Sequence, residues 1–116
     1  TDSKEEGRKF AENALFQNRL AANLRRRQEV MDDTGMMAEL PIDGEPDIDE
    51  IVDNLFIGDA DTVAEKVTTL IRRVGMSHIA MFFQVGNFPH DRALHSVEQF
   101  ADKVIPAVKK ELGWAD

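Results

Sequence analysis

Few side chains in this sequence could do chemistry, and fewer stand at spacings that would let them act together. Gln84, Asn87 and His90 follow one another at intervals of three, the first near the end of the apolar run His78–Val85 and the others just after it. Two amides and an imidazole at the end of a strand can hydrogen-bond a polar ring or a substrate, so these three are the cavity-lining candidates. The plainer reading of each is a polar turn capped near Asp91. His90 and His95 lie five apart and do not share a helix face. Asp91 and His95 do share one, but two ligands make no site, and no metal is expected.

Gly58–Asp59, at the start of an amphipathic stretch, could present free amides to an anion. Asp59 and Asp61 place negative charge at the same spot, which favours simple capping. Arg25, Arg26 and Arg27 read as a solvated helix end paired with acids rather than a phosphate site. Met31, Met36 and Met37 suit loop packing. The sequence holds no Ser/His/Asp arrangement, no GxGxxG and no P-loop, so no catalytic residue can be named.

The elements that position these groups follow from periodicity. Ser3 and Glu6 form a capping-box pattern, which predicts a long helix over 3–32. Its apolar stripe includes Phe10, Ala14, Leu20 and Leu24. An acidic loop over 35–50 follows, stiffened by Pro41 and Pro46, and Ile48–Asn54 could add a helical turn or two. Leu55–Ile57 is a short strand candidate ending at Gly58. Asp59 then caps a helix whose Val63, Val67, Leu70 and Ile71 share one face, and Gly75 ends it.

His78–Val85, apolar at nearly every position, reads as a strand covered on both faces. GNFPHD, 86–91, turns into a closing helix with apolar positions Leu94, Val97, Phe100, Val104 and Val108. Pro106 should kink that helix or remove a hydrogen bond. The whole reads as a single partial domain, 1–116, with a βαβ-α unit over 55–112. Two short parallel strands leave open edges, so the unit requires neighbours.

Composition narrows the partners. The 116 residues carry a net charge of −8, which argues against nucleic acid and anionic membranes. The longest unbroken apolar run, Ile79–Phe83, is far too short to span a bilayer, and no signal peptide is visible. No cysteine is present, so disulfides and thiolate zinc sites are excluded and a cytoplasmic location is expected. A chain that opens on Thr1 rather than Met is expected to be a trimmed or partial product.

The stretch FIGDADTVAEKVTTLIRRVGMSHIAMFFQVGNFPHDRALHSVEQFADKVIPAVKKEL resembles the C-terminal end of the luciferase-like flavin monooxygenases. Gly58, Asp59, Thr62, Val63 and Glu65 carry the first half of the likeness. Ser96, Phe100, Ala101, Val104, Ile105 and Pro106 carry the second, and Thr1 and Asp2 match the family's helix start. The acidic loop adds nothing specific. The resemblance implies an α/β fold: the C-terminal fragment of a (β/α)8 TIM-type barrel, mostly helical with about two short parallel strands. Such barrels run to about 250 residues.

It implies further that the parent acts on an organic substrate with reduced flavin (FMN) and O2. The family's main flavin contacts lie on earlier strands, so this piece is expected to be inactive alone and to bind FMN weakly or not at all. Its partners would be the remainder of the barrel or copies of itself, in a homo-oligomer. A non-catalytic helical self-association module is the other reading.

Overall fold

A computed structural model of the chain describes residues 1–26 and 30–114. Helix α1, Lys4–Arg26, starts as its sequence dictates. The Ser3 hydroxyl accepts from the Glu6 amide at 3.1 Å. The Glu6 carboxylate, however, reaches past Ser3 to the amide of Asp2, at 2.7 Å. The expected helix over 3–32 runs through 27–29, which lie outside the described residues. It has ended before Met31, which forms an isolated antiparallel bridge with Met37.

Helix α2, Ile48–Asn54, carries a full capping box of its own: the Asp47 carboxylate accepts from Glu50 N and Glu50 reaches back to Asp47 N. The acidic loop therefore ends at Asp47 rather than at 50. Helix α3, Ala60–Val74, is capped by Asp59, which accepts from Thr62 N at 2.8 Å, and ends at Gly75 with φ 70°. Val63, Val67 and Ile71 are buried along one face, as their spacing predicts.

The closing helix is three pieces: α4, His90–Gln99; a π-helical turn, Phe100–Val104; and α5, Ile105–Leu112. Pro106 supplies the cause. Its ring would collide with the carbonyl of Asp102 in a regular helix, and one wider turn moves that carbonyl aside. The Ile105 amide accordingly donates to the Phe100 carbonyl, five residues back. The extra residue rotates everything before it, so Leu94 and Val97, expected on the buried stripe, are exposed (51% and 41%) while Ala93 is buried.

The α/β expectation fails. Among the described residues there is no strand, and hence no parallel sheet, βαβ unit or (β/α)8 barrel fragment; the fold is a small all-helical domain. Two local causes are visible. Leu55–Ile57 folds into a three-residue turn, the Ile57 amide donating to the Leu55 carbonyl at 2.8 Å. The Lys66 ammonium then takes the carbonyls of Val52, Leu55 and Ile57 at 2.8, 2.9 and 3.1 Å, so they are not free for a neighbouring strand. Residues 78–85 stay irregular, with no strand to pair with.

The core is divided accordingly. α3 packs on α5 and the π turn around Val63, Val67, Ile71, Val104 and Val108. α1 packs on α2 around Ala11, Ile51 and Ile57. Gly7 in α1 lets this second contact close, since a Cβ there would stand 2.9 Å from a methyl group of Ile57. The radius of gyration is 16.5 Å, against about 13 Å for a globule of this length. The helices do not close around a single centre.

Candidate functional site

The divided core leaves an open groove of about 660 Å3 between the 55–60 turn, the 80–85 run and the π turn. Its walls are apolar: Phe10 and Ala14 from α1, Phe56 from the turn, Met81 and Phe83 from the run, and Phe100 and Val104 from the π turn. Phe83 meets Phe100 edge-on, with ring centroids 5.4 Å apart, a favourable aromatic geometry. The rim is polar and mostly acidic, with Asp2, Asp59 and Asp61 against Lys103.

Asp59 is committed to its capping bond, and the Thr62 amide it accepts from holds its carboxyl below the usual range. Gly58–Asp59 thus acts as the helix cap that its sequence suggests, with negative charge where an anion would have to sit.

None of Gln84, Asn87 and His90 borders this groove. The Gln84 amide donates to the Phe88 carbonyl across its own turn. The Asn87 backbone N–H donates to the Asn13 side chain at 2.8 Å, and Gly86 N–H to Gln17 at 3.0 Å. The turn is thereby bound to α1, with Phe88 buried against Phe10 at 5.1 Å between centroids. Gly86 has φ 50°, and a Cβ there would meet the Asn13 carbonyl at 2.9 Å, so this approach depends on glycine. His90 opens α4 and is exposed. The structure brings Gln84 and Asn87 together in the turn and leaves His90 outside it.

Three polar constellations have no counterpart in the sequence reading. Arg92 on α4 pairs with Glu6 and with Asp2 (2.7 Å), and His95 stands 3.0 Å from Asp2. The guanidinium holds both carboxyls below their usual range. Arg19 on α1 clamps Glu39 and Glu45 of the acidic loop. Lys66 is the third, and desolvation pushes its ammonium below the ordinary lysine value. All join residues distant in sequence, and no local spacing announces them. Among the described residues no three His, Asp or Glu side chains gather as a metal site would require.

These arrangements are structural ties; the apolar groove is the candidate for binding, beside a more polar hollow of about 620 Å3 lined by Lys4, Arg8, Asp49, Asp53 and Lys66. No family model matches the chain, and no solved structure matches it at a significant level. The chain is similar to the uncharacterized protein y4vJ of Sinorhizobium fredii (strain NBRC 101917 / NGR234). Identity is 33% over 113 residues, which is 97% of this chain and 32% of that protein. The chain thus spans about a third of the length of the curated relative it matches.

Proposed function

We propose that this chain is the C-terminal part of a luciferase-like flavin-dependent oxidoreductase, and that its groove is the face it turns toward the rest of that protein. The observation that carries the reading is a coincidence of positions. Eight residues of the family likeness, Thr1, Asp2, Gly58, Asp59, Val63, Ser96, Phe100 and Val104, border this groove. The greater length of the similar protein supports it too. In this reading the whole protein uses reduced flavin and O2 on an organic substrate in the cytoplasm. No helix among the described residues is long and apolar enough to cross a membrane.

The residues present do not fit the complete cofactor. An FMN phosphate needs cations or free amides, and the rim offers three carboxylates and one lysine. The apolar walls suit at most a ring or an alkyl group. Phosphate binding therefore belongs to other parts of the longer protein.

The test compares two samples by flavin fluorescence quenching. The 116-residue chain should bind FMN weakly or not at all. The longer protein that contains it should bind FMN stoichiometrically and consume O2 when the flavin is reduced. A longer protein without flavin affinity would overturn the reading. Tight 1:1 binding by the short chain would overturn the placement of the phosphate site.

A further inference from the structure

The Lys66 ammonium stands at a point that the backbone has arranged for a cation. It has three hydrogens to donate, and the carbonyls of Val52, Leu55 and Ile57 face it at 2.8, 2.9 and 3.1 Å. Val52 lies in the last turn of α2, where carbonyls lack helical partners. The tight turn after it, closed by the Ile57 amide on the Leu55 carbonyl, brings the other two oxygens round. Burial opposes the charged form of Lys66, and Asp53 favours it only through space. The charge is therefore held by carbonyl dipoles rather than by an ion pair.

The spacing of the oxygens selects the kind of ion. Mg2+ draws its ligands to about 2.0–2.1 Å and Ca2+ to about 2.3–2.6 Å, well inside the distances found here. A larger monovalent ion, ammonium or potassium, suits them; carbonyl oxygens in place of a water shell are how channel filters hold potassium. A water molecule has one hydrogen too few for the three acceptors. The hollow of about 620 Å3 leads to this point, since Val52, Ile57 and Lys66 all line it. Its other charged side chains are the carboxylates of Asp2, Asp49, Asp53 and Asp59 against Lys4 and Arg8, a balance that draws cations in. We propose that the turn 52–57 is a monovalent-cation site whose resident ion is the ammonium of Lys66, and that a free ammonium or potassium ion takes its place when that charge is removed. The turn is also a wall: Ile57, Gly58 and Asp59 border both the hollow and the apolar groove. The cation thus sets one side of the groove. The proposal does not depend on the flavin reading.

The experiment compares the 116-residue chain with Lys66→Met, which keeps an unbranched apolar stem and loses the charge. Both are followed by thermal circular dichroism and by amide exchange of residues 55–59, in chloride salts of choline, sodium, potassium and ammonium at equal ionic strength. In choline chloride, Lys66→Met should melt below the wild type and exchange the Ile57 amide several-fold faster. Ammonium and potassium should recover most of both losses, saturating with concentration, and sodium should recover less. The wild type should not distinguish the four salts. If Lys66→Met is unfolded in choline chloride, folding regained in ammonium or potassium chloride supports the proposal, and failure to regain it in either overturns it. A variant that responds alike to all four cations also overturns it, leaving the three bonds a structural tie only. So does a variant as stable as the wild type in choline chloride, whose carbonyls would then need no cation.

Discussion

Arg19 illustrates how single residues hold this chain where packing does not. Its guanidinium meets Glu45 through two bonds, one from Nε at 2.8 Å, and reaches Glu39 with a third. Ile42 N–H donates to the same Glu45 carboxylate at 3.1 Å. One turn further along α1, the buried Asn23 donates to the Leu40 carbonyl at 3.0 Å. Together these bonds fasten the acidic loop to α1. The Arg19 guanidinium and the Ile42 amide lower the Glu45 carboxyl from 4.5 to about 2. A carboxyl depressed in the folded state contributes stability that is complete above its unfolded value and is lost as pH falls through the folded one. The stability gap between the wild type and Glu45→Gln should therefore be constant above about pH 5 and close between pH 4.5 and 2. Urea titrations at several pH values would show this, and a gap that does not narrow on acidification would mean that the clamp does not form.

The elements divide into those written in local sequence and those set by distant contacts. α3 is legible because its signals are local, Asp59 at its start and Gly75 at its end, whereas α2 is legible only in part, since Asp47 and Glu50, which cap it, lie inside the stretch read as acidic loop. Leu55–Ile57 misleads because its composition suits a strand, whereas the cation that ties up its carbonyls arrives from Lys66 on the next helix. His78–Val85 has the apolar composition of a strand, and 80–85 alternate in burial as one would, but no partner is present among the described residues and a strand exists only as part of a ladder. Gln84 and Asn87 resemble site residues because amides serve catalysis and turns equally well; Gln84 bonds Phe88 within the turn, while the backbone N–H groups of Gly86 and Asn87 bond Gln17 and Asn13 on α1, some seventy positions away, and these bonds decide for the turn. In the closing helix Pro106 predicts a disturbance but not its form, which is a π turn. A π turn shifts the phase of every earlier position, so the stripe seen in sequence crosses from one face to another. Val67 and Val97 test this directly, being the same residue on two helices. Val67 is 2% exposed and Val97 41%. Val67→Ala should cost about 2 kcal/mol through lost burial and a residual cavity, and Val97→Ala less than about 0.5 kcal/mol. Equal costs would restore the continuous stripe and remove the π turn from the account.

At the scale of the whole molecule, two small cores share one chain, joined mainly by polar ties. The α3–α5 cluster holds six buried side chains and the α1–α2 cluster three. Between them run the bonds of Asn13 and Gln17 to the 86–87 turn, the Phe10–Phe88 contact, and the ion pairs of Arg92 with Asp2 and Glu6. Regions with fewer buried contacts open at lower free energy, so α1 should exchange its amides faster than α3. Arg92 lies on α4, and its partners lie in the first turn of α1 and just before it. Removing the guanidinium leaves the Glu6 carboxylate, whose side chain is only 14% exposed, without its counter-charge. Arg92→Ala should then raise amide exchange several-fold in the first turns of α1 and leave α3 unchanged. Hydrogen exchange followed by mass spectrometry resolves both helices in one experiment. If exchange rises equally in α1 and α3, the two cores open as one cooperative unit, and the division of the molecule described above is not how it behaves in solution.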